Sequence, residues 1–93
     1  MKTIRIDILR GGPGGTDPRT LVRTMNVSVE SMKQLTADRA RRVLIRTIPE
    51  FADQLVIRHD TGWMAQRPIA PIKGSNYLYT WEYAVVNEAD REP

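Results

Sequence analysis

The chain has no cysteine, a single histidine and no long apolar run. The absence of cysteine excludes disulfides, thiolate metal sites and cysteine nucleophiles. With only His59, no pair of histidines is available for a metal centre. No segment approaches the roughly 20 apolar residues of a membrane span, and the first ten residues lack the apolar core of a signal peptide. These absences predict a cytoplasmic protein with no cofactor and no membrane partner.

Catalytic patterns are also missing. The carboxylates are scattered, and no spacing pairs two of them on one element for acid–base chemistry. No serine stands at a recognisable nucleophile elbow. The glycine-rich stretch 11–18 lacks the Gly-Lys-Ser/Thr ending of a phosphate-binding loop. We therefore expect a protein that is not an enzyme, and a small enzyme ranks last among the functional hypotheses.

Length and charge add two expectations. Ninety-three residues suffice for one domain, which we place at 1–87, followed by a charged tail at 88–93 that is expected to fray. The net charge is +3, but residues 1–46 carry ten basic against four acidic residues, and residues 47–93 carry four against seven. Eleven of the fourteen basic residues are arginines, which suit phosphate or carboxylate recognition. A GC-rich genome is the alternative explanation for this arginine content.

The stretch 32–48 is the one long segment with helical periodicity. At 100° per residue, one sector contains its apolar stripe of Met32, Ala40, Val43, Leu44, Thr47 and Ile48. Leu35 falls outside this sector, and a break at Thr36, which would cap a new turn, explains its position. Pro49 predicts the end of the helix, because the residue before a proline is displaced from helical geometry.

Alternating apolar and polar residues predict strands on both sides of this helix. They are expected at 3–10, 20–29, 54–59, 63–67 and 77–87. The sequence GGPGGTDP at 11–18 indicates a mobile hairpin connection, and Pro68 and Pro71 predict a loop over 68–76. The resulting ββαβββ order predicts an α+β fold with two layers, in which one helix packs across a single sheet.

This fold predicts a single core between the sheet and the helix. Its deeply buried members are expected to be Ile4, Ile6, Ile8, Val27, Val43, Leu44 and Ile57.

The order and lengths of these elements resemble the β-grasp, or ubiquitin-like, fold. That fold also has an N-terminal hairpin, then a helix, then further strands that end in a long one. The resemblance covers nearly the whole chain and rests on element order, with no diagnostic motif. Ubiquitin-like modifiers and sulfur carriers end in Gly-Gly, whereas this chain ends in Arg91-Glu92-Pro93. The resemblance therefore implies a binding module and does not support a role in conjugation.

The helix side away from the apolar stripe carries the candidate partner-binding residues Arg39, Arg41, Arg42, Ile45 and Arg46. Three of them, Arg39, Arg42 and Arg46, lie within about 60° of one another around the helix axis, and we name these three the arginine ridge. Arginines beside an apolar residue suit an acidic protein surface or a phosphate backbone. The alternative is an ordinary solvated face, in which Asp38 pairs with Arg41 or Arg42.

The last predicted strand contains four alternating aromatic residues that share one face: Tyr77, Tyr79, Trp81 and Tyr83. On an open face of the sheet they would stack on bases, as in RNA-binding sheets. Facing the helix, they would belong to the core. Because Thr80 and Glu82 share the opposite face and are poor core residues, the pattern favours aromatics that point towards the helix.

These observations lead to two functional hypotheses from different classes. The first is a small binding module that acts through protein–protein contacts, of the kind that phages and plasmids encode as inhibitors of host machinery, anti-CRISPR proteins among them. The alternative is a nucleic-acid-binding domain that contacts phosphates through the arginine ridge.

Overall fold

A computed structural model of the chain describes residues 2–11, 20–30, 34–60, 62–69 and 80–88. The strands are β1 (Lys2–Gly11), β2 (Thr20–Val29), β3 (Ile57–His59), β4 (Gly62–Ile69) and β5 (Thr80–Glu88). The helix α1 is Ala37–Thr47, and a short 3-10 turn, Pro49–Phe51, follows it. The predicted α+β class, with one sheet and one helix, is confirmed. Within the described ranges, no helix is long and apolar enough to cross a bilayer.

The five strands form one sheet in the order β2-β1-β5-β4-β3, and every neighbouring pair is antiparallel. This order places β5 at the centre of the sheet, between β1 and β4. Strands β2 and β3 lie at opposite edges, and the segment that contains α1 connects them. This arrangement does not confirm the closer resemblance to the β-grasp fold.

Helix α1 begins where Thr36 caps it. The Thr36 hydroxyl accepts a hydrogen bond from the backbone N–H of Arg39, which satisfies one of the donors left free at a helix start. The predicted break at Thr36 is therefore confirmed, and the helix is shorter than the predicted 32–48. Leu35 lies outside the helix and is buried, and its carbonyl accepts a hydrogen bond of 2.9 Å from the Trp63 indole. Met32 lies outside the described residues.

The helix packs on one face of the sheet and forms the main core. Its buried members are Ile4, Ile6, Ile8, Leu35, Ala40, Val43, Leu44, Ile48, Phe51, Ala65, Ala84 and Val86. The prediction of deep burial is confirmed for the three isoleucines of β1 and for Val43 and Leu44. It is wrong for Val27, which is half-buried because β2 is an edge strand, and for Ile57, which is 42% exposed in the three-residue edge strand β3.

The opposite face of the sheet carries a second buried cluster, so the prediction of a single core is wrong. Its buried members are Met64, Tyr83 and Val85, with Leu9 and Trp81 packed against them. Alternation along β5 places Ala84 and Val86 towards the helix, and therefore Trp81 and Tyr83 away from it. The expectation of aromatics that face the helix is therefore wrong for Trp81 and Tyr83. Glu82 lies on the helix side instead, where it pairs with Arg10 and Arg67. Tyr77 and Tyr79 lie outside the described residues.

Strand β4 continues through Pro68, which pairs with Trp81 of β5. The prediction of a loop over 68–76 is therefore wrong for Pro68 and Ile69, which belong to β4. The reason is the shortness of β3, which pairs only with residues 62–64 of β4. At Pro68 the second side of β4 has no described neighbour, and a proline is tolerated at such an edge position. The rest of that loop, most of the glycine-rich stretch at 11–18 and residues 89–93 lie outside the described residues.

Replacing Val43 by alanine should lower the free energy of unfolding by about 1–3 kcal/mol, because Val43 packs between α1 and the sheet. Urea denaturation followed by circular dichroism measures this loss. Ile45→Ala on the exposed side of the same helix is the matched control and should change stability by less than about 0.5 kcal/mol. Equal losses for the two variants would contradict the observed packing.

Candidate functional site

A groove of about 410 Å³ separates the end of β2 from helix α1. Its β2 side is formed by Ser28, Val29 and Glu30, and its helix side by Arg39, Arg42, Val43 and Arg46. All three residues of the arginine ridge therefore line one groove. We name it the arginine groove.

The groove continues along β2 towards the end of the helix. A second hollow of about 180 Å³ adds Val27 and Thr47 to four residues that it shares with the first: Ser28, Val29, Val43 and Arg46. Residues later in α1 thus lie beside residues earlier in β2. The helix consequently runs antiparallel to the edge strand, and the cleft between them has an apolar floor of valines and a rim of guanidinium groups.

The helical period explains why the ridge arginines meet at this cleft. Val43 and Leu44 are drawn into the core, and the ridge positions follow on the flank of α1 that faces β2. Arg39 is half-buried and donates from Nη1 to the carbonyl of Gln34 at 2.7 Å, which orients its guanidinium across the start of the helix. Arg46 is exposed at the other end of the groove.

Arg42 makes the ion pair that the solvated-face alternative predicts. Its Nη2 lies 3.0 Å from Oδ2 of Asp38, with the two side chains 73% and 72% exposed. Such an exposed pair contributes only about 0–1 kcal/mol, so a stronger acidic ligand can displace Asp38 at little cost. The ridge therefore keeps a positive balance, since Glu30 is the one carboxylate among the residues that line the groove.

Arg41 and Ile45 lie on another side of the helix and do not line the arginine groove. Nη2 of Arg41 is 3.4 Å from the carbonyl of Ala52, on the flank that faces the 3-10 turn. Ile45 is exposed between this flank and the ridge. The structure thus divides the five predicted residues into a groove set of three arginines and an outer pair.

Sequence reasoning missed the β2 side of the groove. The strand predicted at 20–29 includes Ser28 and Val29 but gives them no role in a site, because the packing of β2 beside α1 depends on the tertiary arrangement. The signal that remained in the sequence is the short connection between them. A strand and a helix joined by seven residues, Glu30 to Thr36, must pack close together.

A second charged cluster surrounds Glu82, the one buried charged residue in the described part of the chain. Its Oε2 accepts from Nε of Arg10 at 3.0 Å, and its Oε1 accepts from Nε and Nη2 of Arg67 at 3.1 and 2.9 Å. Charge-assisted bonds of this number offset the desolvation of the carboxylate. A glutamate inside an otherwise apolar strand was the sequence signal for this cluster.

No protein-family model matches this chain, and no curated protein or solved structure shows a significant match. Within the residues that the structure describes, no three histidine or carboxylate side chains come together in a group that would hold a metal ion. The site therefore has to be interpreted from its own geometry and charge.

Proposed function

We propose that this protein is a small binding module that recognises an acidic surface of a protein partner through the arginine groove. The observation that carries the proposal is the convergence of Arg39, Arg42 and Arg46 on one cleft with a floor of valine side chains. Arginine combines a fixed fork of donors with weak hydration, which suits carboxylates at a partly apolar interface.

Two features favour a protein partner over nucleic acid. The wall opposite the ridge contains Glu30, which repels any anion placed beside it. A phosphate backbone carries a charge at every nucleotide, whereas a protein segment can place its carboxylates at the ridge alone. Of the two described aromatic residues of β5, Tyr83 is 1% exposed and Trp81 is half-buried, so they offer little surface for stacking on bases. Nucleic-acid binding through the ridge remains the second candidate, since three aligned guanidinium groups also match phosphates.

The wider role that we propose is inhibition of host machinery by a phage- or plasmid-encoded protein, as anti-CRISPR proteins do, in the cytoplasm and without enzymatic activity. This part of the proposal rests on the small size and the lack of cysteine. The genes that neighbour this one test it, because an inhibitor of this class is expected beside phage or plasmid genes.

The triple charge reversal Arg39→Glu, Arg42→Glu and Arg46→Glu tests the groove. Binding of a fluorescent glutamate-rich peptide, measured by anisotropy, should weaken by roughly tenfold to hundredfold, because each guanidinium makes a charge-assisted contact. The free energy of unfolding should change by about 1–2 kcal/mol at most, since the Arg42–Asp38 pair is exposed.

The matched control reverses three arginines that do not line the groove, Arg5, Arg41 and Arg58, and so makes the same change in net charge. It should retain most of the peptide affinity. Equal weakening by both triple variants would show that net charge alone drives binding and would contradict the proposed site.

Salt dependence separates the two candidates. A thymidine oligonucleotide held by three phosphate contacts should lose affinity with a log–log slope of roughly −2 to −3. If the oligonucleotide binds more tightly than the acidic peptide and shows that slope, the nucleic-acid alternative replaces the protein-binding proposal.

A further inference from the structure

Strand β2 exposes a long edge beside the arginine groove. Among the described strands it has a neighbour, β1, on one side only. Its regular stretch pairs Arg23–Val29 with residues 2–8 of β1, and the register shifts beyond Ile8. Within the described part of the chain, the backbone N–H and C=O groups on the outer side of this stretch have no strand beside them and can pair with an added one.

Beyond the register shift and Arg23, the outer edge of β2 lacks residues that prevent such pairing. Residues 24–29 read TMNVSV and contain neither proline nor a charged side chain. The opposite edge of the sheet differs, because β3 has only three residues and the rest of β4 on that side contains Arg67 and Pro68. The sheet therefore offers one long edge suited to strand addition, and this edge forms a wall of the arginine groove.

We infer that the occupant of this edge is an extended acidic peptide segment of the partner, which adds to β2 as a sixth strand. The inference rests on the proposed function and deepens it. Main-chain hydrogen bonds to β2 would supply affinity, and the ridge would select carboxylates on one side of the added strand.

The length of the ridge suits this mode of binding. Arg39 to Arg46 spans about 10 Å along the helix axis, and alternate side chains of a strand lie about 7 Å apart. Two acidic residues at alternate positions of the added strand would therefore both lie within the length of the ridge. The intervening side chains would lie on the other face of the sheet, beside Thr24 and Asn26.

Charge argues against a second copy of this chain as the occupant. Pairing of β2 with β2 would bring Arg23 and the ridge arginines of both copies to one edge. The one negative charge among the described residues that line each groove, Glu30, would not balance these positive charges. Like charges at such short distances oppose association. An acidic strand instead gains an opposite charge at each ridge position.

Backbone methylation of the probe tests strand addition without altering the protein. The probe is a labelled peptide that alternates valine with glutamate, made unmodified and with N-methyl groups on the odd or on the even residues. Only one set of amides in an edge-bound strand faces β2. We expect one methylated peptide to bind roughly tenfold or more weakly and the other to bind nearly as the unmodified peptide does, since only one loses main-chain hydrogen bonds.

Amide exchange measured by NMR locates the same event on the protein. Alternate amides within 24–29 should become protected when the unmodified peptide binds, because their N–H groups then donate to the added strand. The triple reversal of the ridge should weaken all peptides together.

The outcomes distinguish this inference from the proposed function. If both methylated peptides bind as well as the unmodified one while the ridge reversal weakens all three, the groove binds acidic chains and strand addition is wrong. If no peptide binds at millimolar concentration, the inference of an acidic peptide at this edge is overturned. It is also overturned if sedimentation shows a dimer of this chain in which the β2 amides are protected from exchange.

Discussion

Replacing Phe51 by alanine is expected to lower the free energy of unfolding by about 3–5 kcal/mol, the largest loss for any single substitution considered. Phe51 is 1% exposed and belongs to the core cluster between α1 and the sheet. The guanidinium carbon of Arg67 lies 5.4 Å from the centroid of its ring. The substitution therefore opens a cavity and also removes a cation–π contact.

The position of Phe51 in the chain makes this loss informative. It ends the 3-10 turn that follows α1, and so it fixes how the chain leaves the helix on its way to β3. A domain of this length has a total stability of about 5–14 kcal/mol. A loss of this size would take a large share of it, and the thermal midpoint should fall by well over ten degrees at roughly 4–8 °C per kcal/mol.

Urea denaturation followed by tryptophan fluorescence and circular dichroism measures the effect. Leu55→Ala is the control, because Leu55 is 80% exposed four residues further on and should cost almost nothing. Phe51→Leu preserves most of the volume and should cost about 1–2 kcal/mol if the site repacks. A Phe51→Ala loss as small as that of Leu55→Ala would contradict the packing around the 3-10 turn.

Replacing Glu82 by alanine is expected to cost about 2–4 kcal/mol. Removal of one partner from a buried ion pair typically costs about 3–5 kcal/mol, since the remaining charge is left uncompensated. The cost is smaller here because Arg10 and Arg67 keep side-chain exposures of 40% and 26% and recover part of their hydration. The two guanidinium groups would nevertheless repel each other at the end of the core.

Glu82→Gln and Asp38→Ala complete this experiment. Glutamine keeps acceptor oxygen for one arginine and should cost less than alanine. Asp38→Ala breaks the exposed pair with Arg42 and should cost below about 1 kcal/mol, with a strong dependence on salt. If Glu82→Ala is no more harmful than Asp38→Ala, the cluster around Glu82 is an ordinary surface ion pair.

Several local features were predictable from residue patterns alone. The alternation of Ile4, Ile6 and Ile8 placed β1 in the core, because side chains alternate between the faces of a strand. The misplaced Leu35 indicated the helix start at Thr36, and the hydroxyl cap confirms it. The ridge of Arg39, Arg42 and Arg46 followed from helical spacing. Each of these features depends on neighbours within one element.

Other features depended on pairing between distant segments. Pro68 lies within β4 because no described strand needs its missing N–H: β3 pairs only with residues 62–64 of β4 and does not reach Pro68. Ile57 is exposed because its strand is at the edge. Neither the length of a neighbouring strand nor an edge position is encoded by the local pattern of apolar residues.

The same distinction applies to the faces of β5 and to the candidate site. Alternation showed that Trp81 and Tyr83 share one face of β5. The charge of Glu82 suggested that its own face was turned away from the core. That inference failed because Arg10 of β1 and Arg67 of β4 pair with Glu82 on the helix side. The arginine groove likewise needs β2 at the sheet edge and α1 antiparallel to it. Local periodicity was sufficient to align the charges on the helix. Their placement against an open strand edge came from the assembled sheet, because the order of strands is set by long-range packing and hydrogen bonds.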